Sequence, residues 1–205
     1  MDEYLESYFE KEGYVTSYRD VDEIKKLVSL LVRRFDSFYI LDIGCAKGYF
    51  VKYFNLEKSV VSAFGMDISK WAIENYEENV RNNLILADIQ DRKTFKWFPY
   101  EFILCLETLE HLPKPIDAMK NMSYLLNKKG TVVLSVISDT NKLAERDSTN
   151  LFIKNEEWWI EFFKENSFII DWSNTMWLRE QLKNWIYYGS RDWIYFVLKR
   201  SDFNE

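Results

Sequence analysis

The sequence predicts an α/β chain, a mainly parallel, open and doubly wound sheet with helices on both faces. Three observations predict it. Strand and helix signals alternate along most of the 205 residues. Several strand candidates are continuous apolar runs, such as Ile40-Leu41 and Thr131-Val132-Val133-Leu134, which suit strands covered on both sides. The first run passes through Asp42 into a loop of small residues, Gly44, Ala46 and Gly48, before a new helical signal starts.

Each element follows from its own pattern. Two helical stretches open the chain. Residues 3–11 form the first. Residues 20–35 form the second, because Val21, Ile24, Leu27, Val28, Leu31 and Phe35 recur at three- and four-residue steps. Asp20 with Glu23 three residues on gives it a capping-box-like start. Strands are expected at 39–43, 60–66, 84–87, 101–106 and 131–137, and helices at 48–55, 69–80, 114–126 and 155–166. Phe168-Ile169-Ile170 and the run Trp193 to Leu198 read as two more strands, a hairpin-like pair, with a helix from Leu178 to Trp185 between them.

Composition narrows the function. At 205 residues and 47% hydrophobic content, residues 1–205 read as one domain with a full core. No apolar run reaches a membrane span before a charge interrupts it. The acidic start, Met1-Asp2-Glu3, lacks the basic and then apolar order of a secretory signal, so a cytoplasmic home is expected. Cys45 and Cys105 sit in or beside apolar runs and read as buried, reduced thiols, with no Cys-x-x-Cys pair for zinc or redox work. The net charge of −6 weighs against a nucleic-acid surface. Aromatic residues make up 18% of the chain; most fill the core, and some can line a substrate pocket or a dimer contact. A monomer and a homodimer both fit.

The spacing of the small residues selects the ligand. A dinucleotide loop needs small residues at its first, third and sixth places, which here hold Gly44, Ala46 and Tyr49. Tyrosine fits the last place badly, and this weighs against an NAD-dependent oxidoreductase. The run Asp42-Ile43-Gly44-Cys45-Ala46-Lys47-Gly48 instead resembles motif I of the class I S-adenosylmethionine-dependent methyltransferases, with Ala46 in place of the middle glycine. A turn with no ligand is the other reading of the same residues. The resemblance implies a Rossmann-like, seven-stranded sheet with its last strand antiparallel, and it covers the chain from about residue 8 onward. It implies S-adenosylmethionine as cofactor, with Gly44 and Gly48 against its methionine half and Asp42, Cys45 and Ala46 also among the cofactor-binding residues.

Further strand ends extend the pattern. Asp67, 25 residues after Asp42, closes the second strand. A carboxylate there can accept from both ribose hydroxyls, and it or Ser69 can equally cap the next helix. Asp88 and Ile89 close the third strand. By resemblance they receive the adenine amino group and pack on its ring, with Ile68 and Leu106 also beside the cofactor. A plain strand-end acid is the alternative at Asp88. In the N-terminal segment, residues 1–35, Tyr14 and Tyr18 resemble the tyrosines that fold over the cofactor in small-molecule methyltransferases; an aromatic packing patch is the alternative.

The fourth strand ends in Glu107-Thr108-Leu109-Glu110-His111, similar to the Glu-x-x-Glu-His signature of ubiquinone-biosynthesis and small-RNA 2′-O-methyltransferases. If 107–111 is a helical turn, Glu107 and His111 stand at i and i+4 with Glu110 alongside. Two carboxylates and an imidazole can then hold a divalent ion. By resemblance a later histidine completes such a site, and Asn150 stands in its place, a poor zinc ligand. Without metal, His111, the sole histidine, suits a general base, or else caps a helix. Residues 138–153 leave the fifth strand on the ligand side and read as the specificity loop, where Arg146 and Asp147 can touch substrate.

The expected activity is therefore methyl transfer, with catalytic His111, Glu107 and Glu110, to a hydroxyl of a small molecule or sugar. An RNA 2′-O-methyltransferase and a non-catalytic S-adenosylmethionine-binding partner subunit are the alternatives.

Overall fold

The computed structural model describes Tyr8 and residues 21–35, 38–141, 147–185 and 193–202. A helix, α1 (Val21–Arg34), precedes the sheet. Then follow β1 (Tyr39–Ile43), α2 (Tyr49–Phe54), β2 (Ser62–Asp67), α3 (Lys70–Glu74), β3 (Leu84–Leu86), β4 (Tyr100–Leu106), α4 (Pro115–Leu125), β5 (Leu126–Ile137), α5 (Glu156–Glu165), β6 (Phe168–Ile170), α6 (Trp172–Leu182) and β7 (Trp193–Arg200). They form one seven-stranded sheet in the order β3-β2-β1-β4-β5-β7-β6. The first five strands run parallel, while β7 is antiparallel to both β5 and β6.

Alternate residues of each inner strand feed opposite cores. Leu41, Ile103, Cys105, Val132, Leu134 and Phe196 pack on one face with Trp159 and Phe163 of α5. Ile40, Phe102, Leu104, Val133 and Val197 pack on the other with Ile24, Leu27 and Leu31 of α1 and Phe50 and Phe54 of α2. This two-faced burial is why the strand sequences are apolar throughout. No described helix is long and apolar enough to cross a membrane.

Three expectations are corrected. The helix expected at 69–80 stops at Glu74. The Asn75 side chain donates back to the Trp71 carbonyl at 2.9 Å, and Glu77 is drawn to the loop, its N–H on Lys47 O at 2.9 Å and its carboxylate on Lys52 at 3.0 Å. The fifth strand begins at Leu126 rather than residue 131, because Leu126 pairs with Tyr100 before the register shifts and pairing resumes at Phe102 and Thr131. The helix expected from Leu178 to Trp185 is Trp172–Leu182, started by Asp171, whose carboxylate accepts from Asn174 N at 3.0 Å. It presents no apolar stripe: Trp172 and Met176 are exposed, and only Thr175, Leu178 and Leu182 are buried. The last two strands are antiparallel neighbours with a helix, α6, between them, as the sequence predicts. Of the helix expected at 3–11, only Tyr8 is described.

The chain runs from β1 outward through β2 and β3, then returns to place β4 on the other side of β1. The order thus reverses between β1 and β4. In an open α/β sheet a crevice forms outside the carboxyl ends of the strands at such a reversal.

Candidate active site

A cleft of about 780 Å³, counted with its open mouth, lies at that reversal. One side is built by the loop after β1. Gly44 N and Cys45 N both donate to Met66 O, at 2.8 and 3.2 Å, which folds the loop across the end of β2. Gly44 has φ +75°, and a Cβ there would stand 2.1 Å from Thr108 Oγ1. Glycine is therefore required twice over, by the backbone conformation and by the close approach of the next strand's turn. Ala46 holds a left-handed φ of 47° without being glycine. Its N–H donates to Asp67 Oδ2 at 2.8 Å, and that bond helps fix the strained conformation.

Asp67 braces this side of the cleft. Oδ2 takes the Ala46 N–H, and Oδ1 takes Ser69 N–H at 2.8 Å as the chain enters α3. Ser69 Oγ in turn accepts from Ala72 N. Burial raises the Asp67 pKa from its ordinary value, opposed by the backbone N–H groups of Ser69, Ala46 and Ile68. A carboxylate has about four acceptor positions, so acceptor capacity remains for a ligand in the cleft that Asp67 lines. Next to it, Asp88 and Ile89 reach the wall from the end of β3. Asp88 Oδ1 accepts from the backbone and side-chain nitrogens of Gln90, at 2.8 and 3.0 Å.

The opposite side comes from the end of β4. Leu106, Glu107, Thr108, His111 and Leu112 line it. The turn is not helical from Glu107: that residue has φ 49°, and only Leu109–His111 coils, as a short 3-10 turn. The i, i+4 face expected for Glu107 and His111 does not form. Glu110 is fully buried away from the cleft wall. Its Oε1 accepts from Ile137 N at 3.0 Å, and Oε2 has no partner among the described residues. Burial, with Glu107 and Asp147 nearby, pushes the Glu110 carboxyl up to about 8, so it is mostly protonated at neutral pH. Its backbone carbonyl accepts from both Leu151 N and Phe152 N, which docks the following loop against the turn.

His111 lines the cleft, with Nδ1 3.0 Å from Thr149 Oγ1. Burial lowers its pKa, opposed by Thr149 and the Asp147 charge, so the ring is neutral near pH 7. Among the described residues, no group of three or more His, Cys, Asp or Glu side chains is placed to hold a metal ion. Asn150 does not reach the cleft wall. The donor set Glu107, Glu110, His111 and Asn150 does not converge on one point for a divalent ion, because Glu110 turns to Ile137 N of β5 and neither it nor Asn150 lines the cleft.

A family profile for methyltransferase domains matches residues 15–192. The chain belongs to the methyltransferase domain family. Among its curated relatives, a ubiquinone biosynthesis O-methyltransferase of Rickettsia bellii is 22% identical over 205 residues, covering 92% of this chain and 84% of that protein. A tRNA U34 carboxymethyltransferase of Nautilia profundicola is 33% identical over 104 residues, covering 48% of this chain and 34% of that protein. The structure of a SAM-dependent methyltransferase from Archaeoglobus fulgidus superposes with a TM-score of 0.67 at 16% identity, covering 94% of this chain and 99% of that one. The protein is a methyltransferase.

Within this methyltransferase, the cleft brings together Gly44, Ala46, Asp67, Ile68, Asp88, Ile89, Leu106, Glu107 and His111 of the residues singled out from sequence. It leaves out Asp42, Cys45, Gly48 and Glu110. Asp42 is buried beneath the loop, Oδ2 has no partner among the described residues, and burial and then Asp67 raise its pKa well above the usual range. Cys45 is buried against Gly65, where an added Cβ would meet its Sγ at 2.6 Å. Gly48, at φ +85°, starts α2 and leaves room for the Leu84 side chain. These three shape the loop from below. Tyr14, Tyr18 and Arg146 lie outside the described residues, while Tyr8 reaches the wall. Sequence reasoning missed Thr108 and Thr149. Thr149 had a legible signal, since Asp-x-Thr favours a local side-chain turn. Both cysteines are buried and unbridged, and burial pushes the Cys105 thiol far up.

Proposed function

We propose that this methyltransferase binds S-adenosylmethionine in the cleft at the β1/β4 reversal and transfers its methyl group to a hydroxyl of a small molecule. The observation that carries the reading is one cleft wall with small residues and strand-end acids, Gly44, Ala46, Asp67 and Asp88, facing a neutral histidine. Gly44 and Ala46 leave backbone space for the methionine half, Asp67 accepts from the ribose hydroxyls, and Asp88 with Ile89 meets the polar edge and flat face of the adenine.

The cofactor supplies a methyl group on a sulfonium, an already activated leaving group. The chain's task is to hold the acceptor oxygen at roughly 3–3.5 Å in line with that methyl and to take its proton. His111 takes the proton, Glu107 orients the acceptor, and Glu110 serves as an uncharged brace for the loop. No metal is needed. A small hydroxyl compound suits a chain of net charge −6 better than a polyanion does.

The tRNA-modifying relative motivates one competing arm in the test. Purified chain is given isotopically labelled S-adenosylmethionine with a panel of catechols, phenols, sugars and bulk tRNA. Label appearing in a small hydroxyl compound is the expected result. Label confined to tRNA would overturn the choice of acceptor, and absence of cofactor binding by calorimetry would overturn the whole reading.

A further inference from the structure

Asp88 follows β3 into the cleft wall, and the residue two positions on decides which of its oxygens stays open. Gln90 N donates to Asp88 Oδ1 at 2.8 Å, the bond of a local side-chain turn. Gln90 Nε2 donates to the same oxygen at 3.0 Å. Both lone pairs of Oδ1 are then engaged. Among the described residues no donor reaches Oδ2. Asp88 lines the cleft, so Oδ2 is the acceptor it offers there.

The orientation of the Gln90 amide is forced. Lys114 N donates to Gln90 Oε1 at 2.7 Å. A backbone N–H can only donate, so the atom facing it is the oxygen, and the NH₂ end meets Asp88. Lys114 stands at the start of α4, 24 positions beyond Gln90, so this bridge is made by the fold. The main chain beneath is tied as well. Asp88 N donates to Thr94 Oγ1 at 3.0 Å, and Asp91 N donates to Asp88 O at 2.9 Å. The buried Asn121 of α4 donates from Nδ2 to Ile89 O at 2.7 Å. The carboxylate is held at its backbone and at one of its two oxygens.

A carboxylate held in this way tells one purine from another. Adenine presents an exocyclic amino group, which donates. A 6-oxo purine presents a carbonyl in the same place, which only accepts, and keeps its proton on the neighbouring ring nitrogen. A carboxylate free to swing can follow that proton and bind both bases. One pinned at Oδ1 cannot.

We propose that Gln90 is a positioning residue for cofactor specificity: it holds Asp88 by Oδ1 and keeps Oδ2 for the exocyclic amino group of the cofactor's base. This rests on the reading of the cleft as the S-adenosylmethionine site, with Asp88 at the adenine, and deepens it. Gln90 does not line the cleft, so it acts through Asp88.

Calorimetric affinities for S-adenosylhomocysteine and its 6-oxo counterpart, S-inosylhomocysteine, test this. The parent should bind the amino form at least about 10-fold more tightly. Gln90→Glu keeps an acceptor for Lys114 N–H but has no side-chain proton for Asp88 at neutral pH. Gln90→Leu removes both side-chain bonds. Each variant should lower the ratio of the two affinities by about threefold or more. Damage to the fold alone would weaken both ligands together and leave the ratio in place. Equal affinities in the parent, or a ratio that stays at the parent value in both variants, overturn the proposal. Failure of the underlying site reads differently: the parent would bind neither ligand, or its selectivity would survive Asp88→Ala, and the proposal would fall with it.

Discussion

The two walls of the cleft are built in different ways. The β1–β3 wall is assembled from backbone groups and strand-end residues close to one another in the fold's simplest unit, strand, loop and helix. Gly44, Ala46, Asp67 and Ser69 tie themselves together through short bonds to main-chain N–H groups. The β4–β5 wall depends on a turn that bends at Glu107 and on a loop that arrives from beyond β5 to meet His111 and Glu110. The first wall presents donors and acceptors suited to a fixed ligand. The second holds two titratable groups, Glu110 fully buried and His111 half-buried at the cleft wall, whose protonation depends on their neighbours. A wall fixed by bonds within adjacent strand ends is rigid, whereas a wall completed by a loop from beyond β5 depends on that loop's docking.

The largest effect should fall on the second wall. His111→Ala is expected to lower turnover by about 10²–10⁴-fold while calorimetric affinity for the cofactor stays within about twofold. A normal rate would place the base elsewhere and erase the division of labour between the walls. Next, Gly44→Ala adds a Cβ at a φ of +75° and 2.1 Å from Thr108 Oγ1. It should cost on the order of 2–4 kcal/mol in a denaturant melt, because both walls must move apart.

Glu110 gives a pH signature. Its folded pKa of about 8 lies above its ordinary value of 4.5. The folded state therefore keeps a proton that the unfolded chain releases, and stability falls as pH rises from about 4.5 to about 8. Glu110→Gln keeps an acceptor for Ile137 N–H without that titration. Relative to the parent it should gain about 2 kcal/mol between pH 5 and pH 7, read from paired denaturation curves. Parallel curves would mean that the fold does not raise the Glu110 pKa.

A smaller effect is expected on the first wall. Asp67→Ala should weaken cofactor binding by about 10–30-fold, since two ligand bonds and the brace on Ala46 are lost together. It should also lower the melting temperature, because Ser69 and Ala46 lose their acceptor. Unchanged affinity would remove Asp67 from the ribose. Last, activity should be unaffected by EDTA. Loss in the chelator, restored by a divalent ion, would show that the second wall rearranges to bring its carboxylates together.

Much of the first wall was legible in the sequence. Gly44, Asp67 and Asp88 each close a short apolar run, and strand ends in a parallel sheet share one edge. What could not be read was which loop residues face the cleft: Cys45 and Gly48 belong to the same motif as Gly44, yet packing against Gly65 and Leu84 turns them inward. On the second wall the Glu-x-x-Glu-His spacing suggested a helical face. The left-handed φ of Glu107 and the pull of Ile137 on Glu110 dispersed it. The boundaries of α3 and α6 failed for a related reason, since α3 is cut short by bonds to distant residues and α6 has no apolar stripe to read.

By itself the sequence determined the alternation of strands and helices, the two-faced apolar strands and the glycine bend, because these depend on neighbours within a few positions. Only the tertiary structure decided that Thr149 meets His111, that Glu110 stands neutral against β5 and that Asp42 lies beneath the cleft. Those outcomes depend on desolvation and on partners tens of residues away, which only the folded chain brings within bonding distance.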